Sequence, residues 1–384
     1  METCQVIQSQ QQKYKNWPKV AIIILNYNGW KDTIECLESV LRNDYSNYQV
    51  IVIDNGSPNN SIEYIKTWAE GRQEVLTPES NHPLYHLSHP PVKKPIPYIY
   101  YTKKEAEKGG NFELEEKITK EWQEQRKSNN EKLIPTSPYP LIFIQTGENL
   151  GFAGGNNVGI RYALAKGNFE YIWILNNDTV IENDTLTNLI KKIEEYKVKK
   201  QKIGILGSKL LYYDSPKIIQ GIGGKYNKWF AVSKHIGVFE EDKGQYDNEK
   251  ILDDIDYIIG ASMFVSKAFI KDVGLMCEKY FLYFDDLDWA VRAKRKNWRL
   301  GYCWKSKIYH KEGGSIGSSS KGEKKSEIAD YYGLRNRIFF TKKFFPKYLW
   351  CVYLGFVVVV WNRIKRKQIS RIKLVFKVLK YQWK

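Results

Sequence analysis

Short apolar runs, each stopping abruptly at polar residues and followed by a stretch of helical periodicity, organise the first half of the chain. Val20 to Leu25 (VAIIIL) stops at Asn26-Tyr27-Asn28-Gly29, and a helix is predicted from about Lys31 to Leu41. Val50 to Ile53 ends in Asp54-Asn55-Gly56-Ser57 ahead of a helical Ser61 to Glu70. Leu141 to Ile144 leads into the glycine-rich segment Asn149 to Asn157 and a helix reaching about Ala165. Tyr171 to Leu175 ends at Asn176-Asn177-Asp178-Thr179, before a helix from Asp184 to Tyr196. Continuous runs of this length, rich in β-branched and aromatic residues and flanked by helices, predict buried strands of a parallel sheet.

Strand, loop and helix repeated with right-handed crossovers make a Rossmann-like nucleotide-binding half over about 19–200. Ligands of such sheets sit beyond the carboxyl ends of the strands, where Asp54 and Asp178 fall. Asn and Asp are also ordinary turn and cap residues, so either carboxylate alone has that simpler reading. Residues 71–140 break the pattern with nine prolines and read as an insertion holding a short strand (Tyr98 to Tyr101) and a polar helix (Leu114 to Arg126). His82, His86 and His89 lie there, separated by prolines and without Cys or carboxylate company, and are expected to be solvated loop histidines rather than a metal site.

The second half, about 201–345, begins in β-structure, with strands predicted at Ile203 to Tyr212, Ile218 to Gly221, Lys228 to Val238 and Ile255 to Val265. A helix over Lys267 to Val273 precedes the aromatic run Tyr280 to Phe284, which meets Asp285, Asp286 and Asp288 at the start of a helix reaching about Lys296. Asp285 as an N-cap and Asp288 as an i,i+4 partner of Arg292 would be structural, and neither accounts for Asp286. A strand from Arg299 to Tyr309 delivers His310 into a glycine and serine loop, and a helix over Glu327 to Phe339 follows.

The formal charge of +17 implies an acidic partner, and its distribution narrows the choice. No Asp or Glu follows Asp330. Leu349 to Trp361 is apolar but short for a bilayer span. Ile372, Val375, Phe376, Leu379 and Trp383 recur at helical spacing beside Lys373, Lys377, Lys380 and Lys384, a basic amphipathic helix suited to an anionic leaflet. The alternative is a helix packed on its own domain with a solvated basic face. Residues 346–384 are therefore expected to be a membrane-associating tail, and residues 1–18, polar and without the apolar core of a signal peptide, a disordered one. Five scattered cysteines without a CxxC pair argue against a disulfide framework or zinc ribbon and fit a reducing cytoplasm.

AIIILNYNG (21–29), VIDNGS (52–57), ENLGFAGGNNVGIRYAL (148–164), ILNNDT (174–179), GASMFVSKAFIKDVG (260–274), FLYFDDLDWAVRAKRKNW (281–298) and HKEGGS (310–315) together resemble the inverting family 2 glycosyltransferases of the GT-A fold, most closely the rhamnosyltransferase-like branch. The resemblance implies an α/β fold with a mixed, mostly parallel central sheet over 19–345. It implies a nucleoside diphosphate sugar donor contacted by Tyr27 and Asp54 at the base, by a loop closing over the ribose and diphosphate from Gly151 to Asn157 (Gly151, Gly154, Asn156 and Asn157), and also by Asn28, Asn149 and Asn177. Mg²⁺ or Mn²⁺ would be held by Asp178 and His310, with Asp178 at the last position of the family's DXD motif. The motif departs from pattern here, because Asn176-Asn177-Asp178 has a single carboxylate; hydrated Mg²⁺ needs only one or two beside phosphate. Asp286 would be the base, with Asp285 supporting it. The acceptor would be a glycan or polyprenyl-linked molecule, and the enzyme would sit peripherally on the inner face of the cell membrane.

A sugar-phosphate nucleotidyltransferase would need a basic glycine-rich loop after the first strand, unlike Asn26-Tyr27-Asn28-Gly29. A non-enzymatic basic protein would bind nucleic acid or membrane. The positive excess is concentrated in the tail rather than interleaved with base-stacking aromatics, so no nucleic-acid partner is expected.

Overall fold

A computed structural model describes residues 17–128, 135–311 and 326–381. The expected N-terminal tail up to residue 16, the glycine and serine loop after Lys311, and Trp383 with Lys384 lie outside the described residues. The first half runs β1 (Val20–Asn26), α1 (Trp30–Val40), β2 (Tyr48–Asp54), α2 (Ser61–Ala69), β3 (Tyr98–Thr102), α3 (Lys103–Glu107), α4 (Phe112–Ser128), β4 (Leu141–Gln145), α5 (Gly151–Lys166), β5 (Tyr171–Asn176), β6 (Thr179–Ile181) and α6 (Thr185–Val198). The second half runs β7 (Ile203–Tyr212), β8 (Ser215–Gly221), β9 (Gly224–Asn227), β10 (Val232–His235), β11 (Ser262–Ser266), α7 (Lys267–Val273), α8 (Asp285–Arg295) and β12 (Arg299–His310). It closes with α9 (Glu327–Phe344), α10 (Leu349–Lys365) and α11 (Ile369–Tyr381).

Nine strands follow the order β3-β4-β2-β1-β5-β11-β7-β12-β6, with β8 on β7 as the tenth and β9 and β10 forming a separate hairpin. The five strands from β3 to β5 are parallel, β11 runs antiparallel between β5 and β7, and β12 is parallel to β7. This is the mixed, mostly parallel sheet expected, and the C-terminal helices are present. Period-2 alternation divides the core between the sheet's two faces: Ile22 and Ile24 belong to one apolar cluster, Ile23 to the other, and all three are fully buried. Strand order reverses about β1, with β2 on one side and β5 on the other, so the carboxyl ends of these strands frame the crevice where such sheets take ligands.

Several local expectations change. The 71–140 segment is not simply an insertion, since β3 extends the main sheet by pairing with β4. Its proline-rich part is tied to the domain through buried Glu38, which accepts from Val92 N at 2.7 Å and Trp68 Nε1 at 2.9 Å. His82 and His89 are not simply solvated: they are partly buried and stack on Tyr213 and Tyr85. The strand expected over 228–238 is the turn and second strand of the β9–β10 hairpin, and 255–261 is irregular ahead of β11. In the tail, the apolar stripe of α11 is largely used internally. Val375 and Val378 are fully buried against α9 and α10, while Phe376 is exposed. The apolar stretch expected to be short of a span belongs to a 20-residue helical run, Pro346–Lys365, that is long and apolar enough to cross a membrane by length and composition.

Candidate active site

Asn176 ends β5, and the next two residues turn the chain so that β6 can pair antiparallel with the end of β12. That pairing sets Thr179 opposite His310 and brings together two side chains 132 residues apart. His310 Nε2 lies 3.1 Å from Asp178 Oδ1, and both residues are buried. His310 Nδ1 lies 2.8 Å from Gln220 Oε1 on β8. With the amide so placed, Nδ1–H donates to Oε1, and a neutral ring turns its Nε2 lone pair toward the carboxylate, with Asn176 Nδ2 3.5 Å away. Two electron-pair donors in contact require either a second ring proton or a cation between them. A divalent metal with bonds of about 2.1 Å spans adjacent ligands roughly 3 Å apart, and a metal-bound His ordinarily donates its other nitrogen to such a carbonyl. The pair could thus supply two ligands to a divalent metal. No cluster of three or more His, Cys, Asp or Glu suited to a metal occurs among the described residues. Burial raises Asp178, but the His310 charge and hydrogen bond, with Lys311 behind them, hold it below the ordinary carboxylate value.

Lys311 secures this end of β12. Its backbone N–H donates to Asp178 O at 2.9 Å, and its ammonium reaches Asp32 Oδ1 at 2.6 Å and the buried Glu35 Oε2 at 2.5 Å on α1. Tyr213 adds a 2.6 Å bond to Glu35 Oε1. Burial works against the ammonium, and the two carboxylates more than compensate, raising it above its usual value.

Across the crevice, the Asp285-Asp286 pair stands at the start of α8. Asp285 is buried and its Oδ2 has no hydrogen-bond partner among the described residues. Burial, then the neighbouring Asp286 charge, raises it well above the carboxylate range. Asp286 is partly open, and burial lifts it to about 6 against the backbone N–H groups of Leu287 and Gly260. Asn176 N donates to Ala261 O at 3.0 Å. Gly260, beside Asp286, is thus one residue from a bond to the end of β5, two residues before Asp178.

The approach to α8 is strained. Phe281, Tyr283 and Phe284 all have positive φ, at 63°, 65° and 69°. One buried amide on α9 holds them: Asn336 Nδ2 donates to the carbonyls of Tyr280 (3.0 Å), Leu282 (2.7 Å) and Tyr283 (3.2 Å). Asp288, fully buried, accepts from Arg292 Nε at 2.6 Å, the i,i+4 pair expected, and from Tyr280 OH at 3.0 Å. The N-cap of α8 is Phe284 rather than Asp285, which leaves the Asp285-Asp286 pair in the first turn.

The expected donor contacts divide. Tyr27 is partly exposed and Asn28 and Asn149 are exposed at the rim of the crevice. Asn149 Oδ1 already accepts from Asn55 Nδ2 and Gly151 N, which fixes the turn into α5. Asp54 closes β2 from inside: fully buried, it accepts from Asn26 Nδ2 (2.6 Å), Ser57 Oγ (2.5 Å) and Gln145 Nε2 (2.7 Å), so its carboxylate joins strand ends instead of facing open space. Asn177 points back to α1, donating to Thr33 Oγ1 at 3.0 Å. The glycine segment is not a loop closing over a ligand, since α5 begins at Gly151. Gly151, at φ +72°, lies so close to the segment leading into α8 that a Cβ would sit 2.4 Å from Phe281 O. Gly154 is buried, Asn156 donates to Phe152 O within its own helix, and Asn157 donates to Met276 O and Glu278. Gly151 and Asn157 thus join α5 to its neighbours, whereas Asn156 Oδ1 is buried without a partner among the described residues. No local signal in the sequence marks Gln220, Lys311 or Asn336, because their importance depends on contacts spanning 53 to 279 residues.

Residues 21–84 and 119–257 match the model of the family described as Glycosyl transferase family 2. The low-salt glycan biosynthesis hexosyltransferase Agl10 of Haloferax volcanii is 26% identical over 213 residues, 54% of this chain and 62% of that protein. Solved structures with related architecture include GalNAc-T7 with UDP, GalNAc and Mn²⁺ (12% identity, 87% of this chain and 49% of that one, TM-score 0.49). Another is the mannosyltransferase PcManGT of Pyrobaculum calidifontis in complex with GDP-Man and Mn²⁺ (11% identity, 98% of this chain and 81% of that one, TM-score 0.46).

Proposed function

This chain belongs to glycosyl transferase family 2, and from that premise we propose that it is a metal-dependent, inverting hexosyltransferase of the GT-A type. It moves a sugar, rhamnose in the preferred reading, from a nucleoside diphosphate donor to a glycan or polyprenyl-linked acceptor in cell-surface polysaccharide synthesis. The observation that supports this reading is the buried Asp178–His310 contact, with Asp286 beside Gly260, the residue next to the one that bonds the end of β5.

Asp286, in its ionised form, takes the proton of the acceptor hydroxyl as that oxygen attacks the anomeric carbon from the face opposite the leaving group. The new glycosidic bond forms as the bond to the donor's phosphate oxygen breaks, the diphosphate departs with the electron pair, and the configuration inverts. Asp285, raised by burial and by its neighbour's charge, takes up a proton more readily than an ordinary carboxyl, which limits the negative charge beside the base. Asp178 and His310 would hold Mg²⁺ or Mn²⁺, which when bound supplies positive charge to the departing diphosphate. The relative Agl10 is a hexosyltransferase by name, which supports hexosyl transfer over nucleotidyl transfer.

The experiment is a panel of thymidine, uridine and guanosine diphosphate sugars, each with Mg²⁺ or Mn²⁺, read by nucleotide release and by the anomeric configuration of the product. Retention of configuration, or transfer undiminished in excess chelator, contradicts the mechanism.

A further inference from the structure

Helix α10 is packed on one side only. Cys351, Val352 and Phe356 are buried, the last two in a cluster with Leu334 and Ile338 of α9, Val375 and Val378 of α11, and Ala231 of the β9–β10 hairpin. The opposite side shows Trp350, Leu354, Val357, Val358, Trp361 and Ile364, each more than half exposed. Their spacing places them in one stripe along the helix. The stripe continues onto the hairpin, whose tip residues Trp229 and Phe230 are 49% and 56% exposed. Trp229 meets Tyr348, at the entry to α10, edge-on at 4.7 Å between ring centroids, and the Lys228 ammonium lies 5.1 Å from the same ring. Elements more than a hundred residues apart thus end in one apolar surface, of the kind that marks an interaction site.

Charge selects the occupant. Exposed Lys228 and Lys347 stand at one end of the stripe, exposed Lys365, Arg366 and Lys367 at the other, and no acidic residue follows Asp330. A second copy of this chain would set these cations against their own kind, whereas an anionic leaflet complements them while its acyl region accepts the apolar strip and its headgroup boundary the tryptophans. The helix is also tied down. Arg363, 7% exposed, donates to both oxygens of Asp330 at 2.7 and 2.8 Å, so crossing the bilayer would strip a buried ion pair as well as the packed face.

We propose that the outer face of α10 and the tip of the β9–β10 hairpin form one surface that seats the protein on an anionic membrane, with α10 lying in the headgroup plane. The same hairpin reaches the base loop, because Tyr226 on β9 packs edge-on against Phe284, the residue before Asp285. Resting on the proposed glycosyl transfer, this places the base beside the membrane, where a polyprenyl-linked acceptor would present its hydroxyl.

The test is co-sedimentation of the full chain with vesicles of phosphatidylcholine, alone or mixed with phosphatidylglycerol. Wild type is expected to bind the mixed vesicles at least tenfold more tightly and to be released by alkaline carbonate. The pairs Trp229→Ser with Phe230→Ser, and Leu354→Gln with Val358→Gln, should each weaken binding at least tenfold, whereas Phe376→Ser on α11 should change it less than twofold. Donor hydrolysis without lipid should be the same in all of them. Full binding by the hairpin pair, indifference to phosphatidylglycerol, or carbonate-resistant insertion each overturns the proposal, as does a dimer that dissociates in the α10 variant. Vesicle binding without turnover of any donor would refute the proposed activity and leave this surface standing.

Discussion

Replacing Asn336 by Leu keeps the approximate volume of a buried side chain and removes two N–H donors. In the native protein those donors serve three carbonyls of the loop that presents Asp285 and Asp286. Positive φ at Phe281, Tyr283 and Phe284 costs about 1–2 kcal/mol per residue, roughly 3–6 kcal/mol in all. Each buried carbonyl left without a donor costs about 1–3 kcal/mol. If two of the three lose their partners, the loop is disfavoured by about 2–6 kcal/mol, and the lower end alone depopulates the native conformation roughly 30-fold, since about 1.4 kcal/mol is one decade. Relaxation of the backbone toward negative φ recovers strain but moves Asp286 away from Gly260. The expected outcome for Asn336→Leu is therefore a fall in kcat of at least tenfold, with donor and Mn²⁺ affinity by calorimetry within about twofold of wild type, because the Asp178 side of the crevice is untouched. Melting and kcat should be measured together well below the transition. A variant that was merely less stable would keep its kcat in the folded fraction, and a kcat within twofold of wild type would refute the reasoning.

Further outcomes follow from the same site. Asp286→Asn should abolish transfer and retain donor binding; near-normal turnover removes Asp286 as the base. Because the folded pKa of Asp286 is raised to about 6, kcat/KM should fall as pH drops through that value, and a profile flat down to the ordinary carboxylate range would contradict the assignment. The sign for stability is opposite: a raised carboxyl pKa means the folded state binds the extra proton, so this group's contribution declines as pH rises from about 4 to 6. Asp286→Asn should accordingly melt at least as high as wild type above pH 6, and a clear loss there would count against the burial argument. His310→Ala should weaken Mn²⁺-supported donor binding at least tenfold by calorimetry while binding of metal-free nucleotide changes little; equal losses in both would point to a packing role. Gly151→Ala adds a left-handed penalty of about 1–2 kcal/mol and a Cβ contact with Phe281 O, so both melting temperature and kcat should drop.

The motif order in the sequence was sufficient to bring the Asp285-Asp286 pair, Asp178 and His310 forward as candidates, although nothing local pairs them. The glycine-rich segment illustrates the opposite case. The resemblance assigns it to the donor's ribose and diphosphate, yet Leu25 and Asn55 crowd Gly155, and Ile23 and Ile53 crowd Gly159, so these two glycines serve close packing of α5 on the sheet. Composition records that backbone approach is needed but not what approaches. Asp54 likewise sits where a ligand contact is expected, and only the positions of Asn26, Ser57 and Gln145 reveal that its oxygens are already engaged.

The sequence by itself determined the alternation of strands and helices, the polar exits at Asp54 and Asp178, and the acidic start of α8. Burial and backbone preference are written in the identity of neighbouring residues, within one or two turns of chain. Only the tertiary structure decided that β6 folds back to bring His310 to Asp178, that Gln220 orients the imidazole, that Asn336 holds a strained loop, and that α10 rather than α11 turns its apolar face outward. Each of these is a choice of partner across the sheet or between helices. Hydrophobic periodicity specifies that a face is to be covered, and the long-range packing specifies by what.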